Sequence, residues 1–442
     1  MFFERFREAA ARLPDGLIRF SPPASPEAIA GVEARLGLAL PAEYASFLRS
    51  FDGADLFHET IVVAGVGETA ARSLLELNEE RQIHDDGDGN DGDDGDRDGE
   101  LVFAEAVAGD RFALDARGRV LRLRAGSDER ILAGSSFERW LDATVARERV
   151  LYGADGEFAP DVFDEDGEEI SAAVVLRQTE RALKVDPGSA EAQHERGLAL
   201  RRLGRGARAL EAFAAASALD PDDPWPWFDF GRTALADGLE LPRAREAFRR
   251  AATLEAGPSG GRLLAWATRA ALLARDEAAV TELRREALAR DPALLETLAR
   301  AESQASLEGD EEARAENEAL RLALSPTSSP RRGLRVIEDG GLPPSRAIED
   351  GGLPPSRAIE DGGLPPSRAI EGGGLPPVRR AIEAAGPAPA AASRRREPGP
   401  AAPAAAPGPS RSPRSQSPRP PRPAPGAPRR GGASPKAGRP RR

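Results

Sequence analysis

The chain has 442 residues, 61 Lys and Arg against 73 Asp and Glu, a net charge of −12, 3 His and no Cys. The lack of Cys excludes disulfides, thiolate metal sites and thiol nucleophiles. No apolar run approaches the ~20 residues of a transmembrane helix, and the start MFFERFREAAARL has no signal-peptide core, so a soluble, cytoplasmic protein is expected.

The composition is uneven along the chain. All 16 Phe, 4 Trp and 2 Tyr lie at or before Trp266. The residues after Pro326 are therefore too poor in large apolar groups to offset the entropy of ordering a backbone. Residues 1–169 carry −20, whereas residues 387–442 carry +12, so an acidic body bears a basic tail. Arg greatly outnumbers Lys, a bias that with abundant Ala, Gly and Pro points to GC-rich, bacterial coding.

In chain order, Ser25-Pro26 starts a helix carrying Ile29, Val32 and Leu36 on one face and ending near Gly37. Leu40-Pro41 opens a second, with Tyr44, Phe47, Leu48 and Phe51 on a shared face and Asp52-Gly53 as its close. Strands are expected at IVVAGV from Ile61, at LVFAEAV from Leu101, and in RFALD and RVLRL, joined as a hairpin through Ala116-Arg117-Gly118. A final helix follows Ser135-Ser136 with Phe137, Trp140, Leu141 and Val145 inward. Helices, a small antiparallel sheet and a closing helix make an α+β fold.

Residues 29–53, with Glu33, Leu36, Gly37, Leu40, Pro41, Tyr44, Phe47 and Leu48, together with the strands GDRFALDARGRVLRL and the closing SSFERWLDATV, resemble the SUKH superfamily, the Smi/Knr-type domain. The resemblance covers residues 1–150. It implies a non-catalytic domain that binds other proteins, and many bacterial members look like immunity proteins that neutralise secreted toxins. An Asp/Gly run, residues 85–100, departs from the pattern. Within it Asp94, Asp96, Asp98, Gly99 and Glu105 spell an EF-hand loop, with Leu101 at the usual apolar position. No helix-forming sequence precedes it and a strand follows, so a solvated acidic loop with weak, nonspecific cation binding is expected. No metal or other cofactor is expected.

Residues 151–169 read as an acidic linker, and residues 170–326 as repeats. Pro187, Pro221, Pro258, Pro292 and Pro326 recur at 34, 37, 34 and 34 residues. The clearest unit places Gly197, Ala209, Phe213, Ala216 and Pro221 as a tetratricopeptide repeat does, and the segment resembles a tetratricopeptide solenoid, all α. Trp227, Phe230, Gly231, Phe248 and Ala251 fit the next unit, and Leu264, Ala271, Ala287 and Pro292 the third. The fourth keeps Leu298, Ala305 and Pro326, as a more polar capping repeat would. Residues 172–185 read as the second helix of a degenerate leading repeat. The resemblance implies a groove lined by each repeat's first helix: His194, Leu198 and Arg201, then Trp225, Phe228, Arg232 and Leu235, then Arg262, Arg269 and Leu272. Arginines beside aromatic rings suit a peptide with acidic and apolar residues; the alternative is that the rings pack between helices and the arginines are solvated.

Residues 327–386 repeat GGLPPSRAIED, whose paired prolines forbid a continuous helix and favour a disordered, extended spacer. Residues 387–442 read as a disordered basic Pro/Ala/Arg tail, suited to unspecific polyanion contact or to the acidic domain, and lacking the aromatics that stack on bases. Catalytic signatures such as H-E-x-x-H or a phosphate loop do not occur. The expected function is non-catalytic: a SUKH-like domain binding one protein, with toxin immunity as its sharpest form, and a tetratricopeptide groove recruiting another. The alternative is a regulatory scaffold tethered to nucleic acid or another polyanion by its tail.

Overall fold

The structure, a computed structural model, describes residues 2–85, 100–127, 129–164, 167, 169–255 and 257–326, with residues 80–85 in backbone only. The acidic run between its ends, and the spacer and tail from residue 327, lie outside the described residues.

Helix α1 (Phe2–Ala10) lays Phe3 against Phe47 and Phe51. Strand β1 (Ile18–Phe20) follows, then α2 (Pro26–Leu36). Helix α2 begins as its sequence dictates: the Ser25 hydroxyl accepts the Ala28 N–H, Pro26 fills the first turn, and Gly37 closes it at φ 69°. In α3 (Ala42–Ser50) Tyr44, Phe47 and Leu48 are buried, and the Tyr44 hydroxyl donates to the Ala64 carbonyl at 2.7 Å. Strands β2 (Ala54–Leu56) and β3 (Ile61–Val63) lead to α4 (Leu74–Asp85), then β4 (Leu101–Ala106), β5 (Arg111–Leu114), β6 (Val120–Leu123) and β7 (Arg130–Gly134). These strands form one antiparallel meander in chain order. Helix α5 (Phe137–Glu148), capped by Ser136, inserts Phe137 and Trp140 against Phe103, Phe112 and Tyr44. Truncating any of these rings to Ala would cost about 3–5 kcal/mol.

The strand expected over IVVAGV stops at Val63. Beyond it both Asp52 carboxylate oxygens take backbone donors, Val66 N–H at 2.6 Å and Gly67 N–H at 2.7 Å, and turn the chain out of the sheet. The linker 151–169 is packed: Tyr152 and Val162 are buried in the N-terminal core, and isolated bridges join Tyr152 to Phe158 and Phe163 to Ile170.

Among the described residues nine helices follow: α6 (Ala172–Val185), α7 (Ala190–Arg202), α8 (Gly206–Leu219), α9 (Pro224–Ala236), α10 (Leu241–Leu254), α11 (Ser259–Leu273), α12 (Glu277–Arg290), α13 (Leu294–Glu308) and α14 (Glu311–Leu324). The repeat glycines act by the lack of a side chain. A Cβ on Gly197 would stand 2.5 Å from the Phe213 ring, and one on Gly231 2.6 Å from that of Phe248, so in these two repeats glycine lets the paired helices close. The stack is regular from α7 to α12. The last pair is not: α14 packs along α11, in the place a regular stack would give to α13.

Helix α6 sits between α5 and α7, joined by a small apolar seam of Ala143, Ala182 and Ala192. The sheet-bearing part is thereby continued into the solenoid through a polar clamp. Arg122 of β6 bridges Asp110 and Glu191, each at 2.5 Å, and Arg147 of α5 reaches Glu195 at 2.7 Å. Asp186, at the end of α6, accepts both the backbone N–H and the hydroxyl of Ser135 at 2.7 Å. A cavity of about 50 Å³ remains among Arg122, Trp140, Arg147, Glu148 and Glu191.

Candidate partner-binding surface

The first helices of the repeats, α7, α9 and α11, carry the sequence-derived groove residues. His194 on α7 is buried, and its Nε2 lies 2.8 Å from a carboxylate oxygen of Asp229 on α9. Arg201, two turns further along α7, donates to the other oxygen at 2.7 Å. Asp229 is thus shared by two basic side chains of the neighbouring helix. Burial alone would raise its pKa, but Arg201 and His194 together hold it well below the usual carboxylate range. This trio ties one repeat to the next.

Trp225 and Phe228 lie within the solenoid core, edge to face at 6.0 Å, and Phe228 abuts Phe248 and Trp266. Leu198 and Leu272 are buried there too, and Leu235 packs against the same core.

Arg232, Arg262 and Arg269 converge. Arg232 lies over the rings of Phe228 and Trp266 at 5.9 and 5.4 Å, and Arg269 lies over Trp266 at 5.4 Å. At their meeting point is Glu316 of α14, a residue that sequence reasoning did not single out. Its two oxygens take Arg232 and Arg262, each at 3.1 Å. The three arginines outweigh burial and hold Glu316 below its ordinary carboxylate pKa. Arg269 is pushed down by burial and by the like charge of Arg232. Below Glu316, Leu320 and Leu324 are buried in the core shared with Leu264 and Leu298, and Arg284 donates to the Ala323 carbonyl at 3.0 Å. The signal for Glu316 was its spacing of four and eight residues from Leu320 and Leu324, which puts a carboxylate on the apolar stripe of α14.

The surface is therefore a cluster of guanidinium groups, two of them laid on aromatic faces, a geometry that binds carboxylates and apolar helix faces. Residues 23–143 match the SMI1 / KNR4 family (SUKH-1), and residues 190–233 match a tetratricopeptide repeat. A SUKH-type domain precedes tetratricopeptide repeats. Both are in general non-catalytic modules that mediate protein–protein interactions, which fits a surface of this kind. No curated protein matches the chain. Among solved structures it is similar to the crystal structure of MamA, at 16% identity over 35% of this chain and 86% of that one, with a TM-score of 0.26. It is also similar to that of YrrB, described as a TPR protein with an unusual peptide-binding site, at 14% identity over 38% of this chain and 84% of that one, also with a TM-score of 0.26.

In the SUKH-type domain the EF-hand spelling is split. Leu101 and Glu105 stand in β4, where Leu101 is buried and Glu105 pairs with Arg72 at 3.1 Å, while Asp94, Asp96, Asp98 and Gly99 lie outside the described residues. Among the described residues no group of His, Asp and Glu is placed to hold a metal ion, and no helix is long and apolar enough to cross a membrane.

Proposed function

We propose that the protein is a cytoplasmic, non-catalytic adaptor in which the SUKH-type domain binds one protein and the face made by α9 and α11 recruits a second. The observation that carries this is the cluster of Arg232 and Arg269 over Trp266, with Arg262 beside Arg232 on Glu316. Positive charge held on aromatic faces costs desolvation unless a carboxylate answers it, and an acidic segment supplies that answer. The packed junction at Arg122 and Asp186 supports a fixed spacing between the two modules. Toxin immunity is the specific form for the SUKH-type half. The test is binding of a candidate acidic partner to the full chain and to the variant with Arg232, Arg262 and Arg269 all changed to Ala: at least tenfold weaker binding is expected in the variant, and equal binding refutes the assignment of this face. The basic residues of 387–442 support a weaker second reading, a polyanion tether, whose affinity for heparin would fall steeply with salt and vanish on deleting them.

A further inference from the structure

Helix α14 occupies the surface to which the adaptor reading assigns a partner, and it does so as a partner would. It is amphipathic, it offers one carboxylate, Glu316, to the arginines, and it buries Leu320 and Leu324 beneath. The fit is incomplete. Three guanidinium groups share that single carboxylate; Arg269 feels its charge but, among the described residues, lies over the Trp266 ring and makes no close ion pair. Among the described residues the buried Arg269 Nε–H and Trp266 Nε1–H find no hydrogen-bond partner, and neither does the buried Oδ1 of Asn317 on α14. Buried donors without acceptors are costly, so a segment bringing a second carboxylate within reach of Arg269 would bind better than α14 does. The geometry of the last pair allows exchange: α14 meets α11 out of the regular stacking order and is joined to α13 through Gly309 at φ 77°.

We propose that α14 is a resident pseudo-ligand that covers the Arg232, Arg262 and Arg269 surface, and that the true partner is an acidic amphipathic helix with at least two carboxylates on its docking face, which displaces α14. This rests on the adaptor reading and adds its regulation and the chemistry of the partner. The chain is closed at rest, and only a more acidic segment opens it.

The test uses the full chain and a labelled synthetic peptide spanning residues 309–326 as the probe. In Glu316→Arg a fourth guanidinium is set among three, so hydrogen exchange of the α14 amides should rise at least tenfold while those of α7 to α10 are unchanged; Glu316→Gln should give a smaller rise. By fluorescence anisotropy the peptide should bind Glu316→Arg at least tenfold more tightly than it binds the wild-type chain. Adding Arg262→Ala and Arg269→Ala should remove that gain. A peptide in which Asn317 is replaced by Asp should bind more tightly still. Unchanged α14 exchange in both Glu316 variants overturns the latch, and an exposed α14 without peptide binding overturns the receptor. The adaptor reading fails separately. If partner binding depends on Arg262 and Arg269 but is equal in the wild type and Glu316→Arg, the adaptor stands and the gate falls. If the peptide binds the opened chain but no acidic partner depends on these arginines, the gate stands and the adaptor falls.

Discussion

At the scale of single residues, the chain places charge where burial is deepest and balances it unequally. At the junction of the two modules, among the described residues, the carboxylates of Asp110, Glu148, Glu191 and Glu195 pair with two arginines, Arg122 and Arg147. Burial outweighs the Arg147 pairing at Glu195 and pushes it up to about 7 from its ordinary 4.5. A carboxyl raised in the folded state stabilises that state when protonated. Its contribution is complete below about pH 4.5 and is lost as pH rises through about 7. The melting temperature of the wild type should therefore fall between pH 5 and 8, and Glu195→Gln, neutral throughout, should flatten that slope; an equal slope in the variant would deny Glu195 this role. Asp229 is the opposite case, a buried acid held ionised by His194 and Arg201. Asp229→Ala leaves a buried His and an Arg without their carboxylate and should cost about 3–5 kcal/mol in chemical denaturation. The groove residues were legible as residue types, since Arg beside Trp and Phe was visible in the sequence. Their partner was less so: the spacing of Glu316 from Leu320 and Leu324 sets it on the apolar stripe of α14, but only the packing of α14 onto α11 brings it to the arginines.

At the scale of elements, strong local signals carried furthest. Helices α2, α3 and α5 were readable from caps and apolar spacing, and the β5–β6 hairpin from the turn at Arg117-Gly118, where the Asp115 carboxylate accepts the Arg117 and Arg119 N–H groups. Strands β1 and β2 have three residues each, too few for a period of two to show, and α4 is polar enough to pass for loop. The tetratricopeptide period located the repeats because it repeats a contact. Gly197 against Phe213 recurs as Gly231 against Phe248. Gly197→Ala and Gly231→Ala should each destabilise by about 1–3 kcal/mol through overpacking, measured as a shift in denaturant midpoint without a change of slope. The period could not show that the fourth pair leaves the stacking order, because Leu298 and Ala305 meet the pattern whichever helix docks on α11.

At the scale of the whole molecule, the SUKH-type domain and the solenoid are joined by α5, α6 and α7 and by ion pairs that cross between them. The segment 151–169 contributes side chains to the N-terminal core, so it holds the modules instead of merely spacing them. Removing Arg122 strands Asp110 and Glu191 in the junction. Calorimetry of residues 1–326 should show one transition for the wild type and two for Arg122→Ala, and two in both would mean that the clamp couples nothing. Opposite charge at the two ends of the sequence, −20 over residues 1–169 and +12 over residues 387–442, predicts in addition that deleting 387–442 abolishes heparin binding.

As an adaptor the protein is proposed to hold two different proteins, one of them through Arg232, Arg262 and Arg269. The most direct test is affinity capture with the immobilised full chain beside the variant in which those three arginines are Ala. The wild type should retain at least two proteins, and the variant should lose one, the more acidic, while keeping the other. A variant that loses every partner, or none, would contradict the adaptor reading.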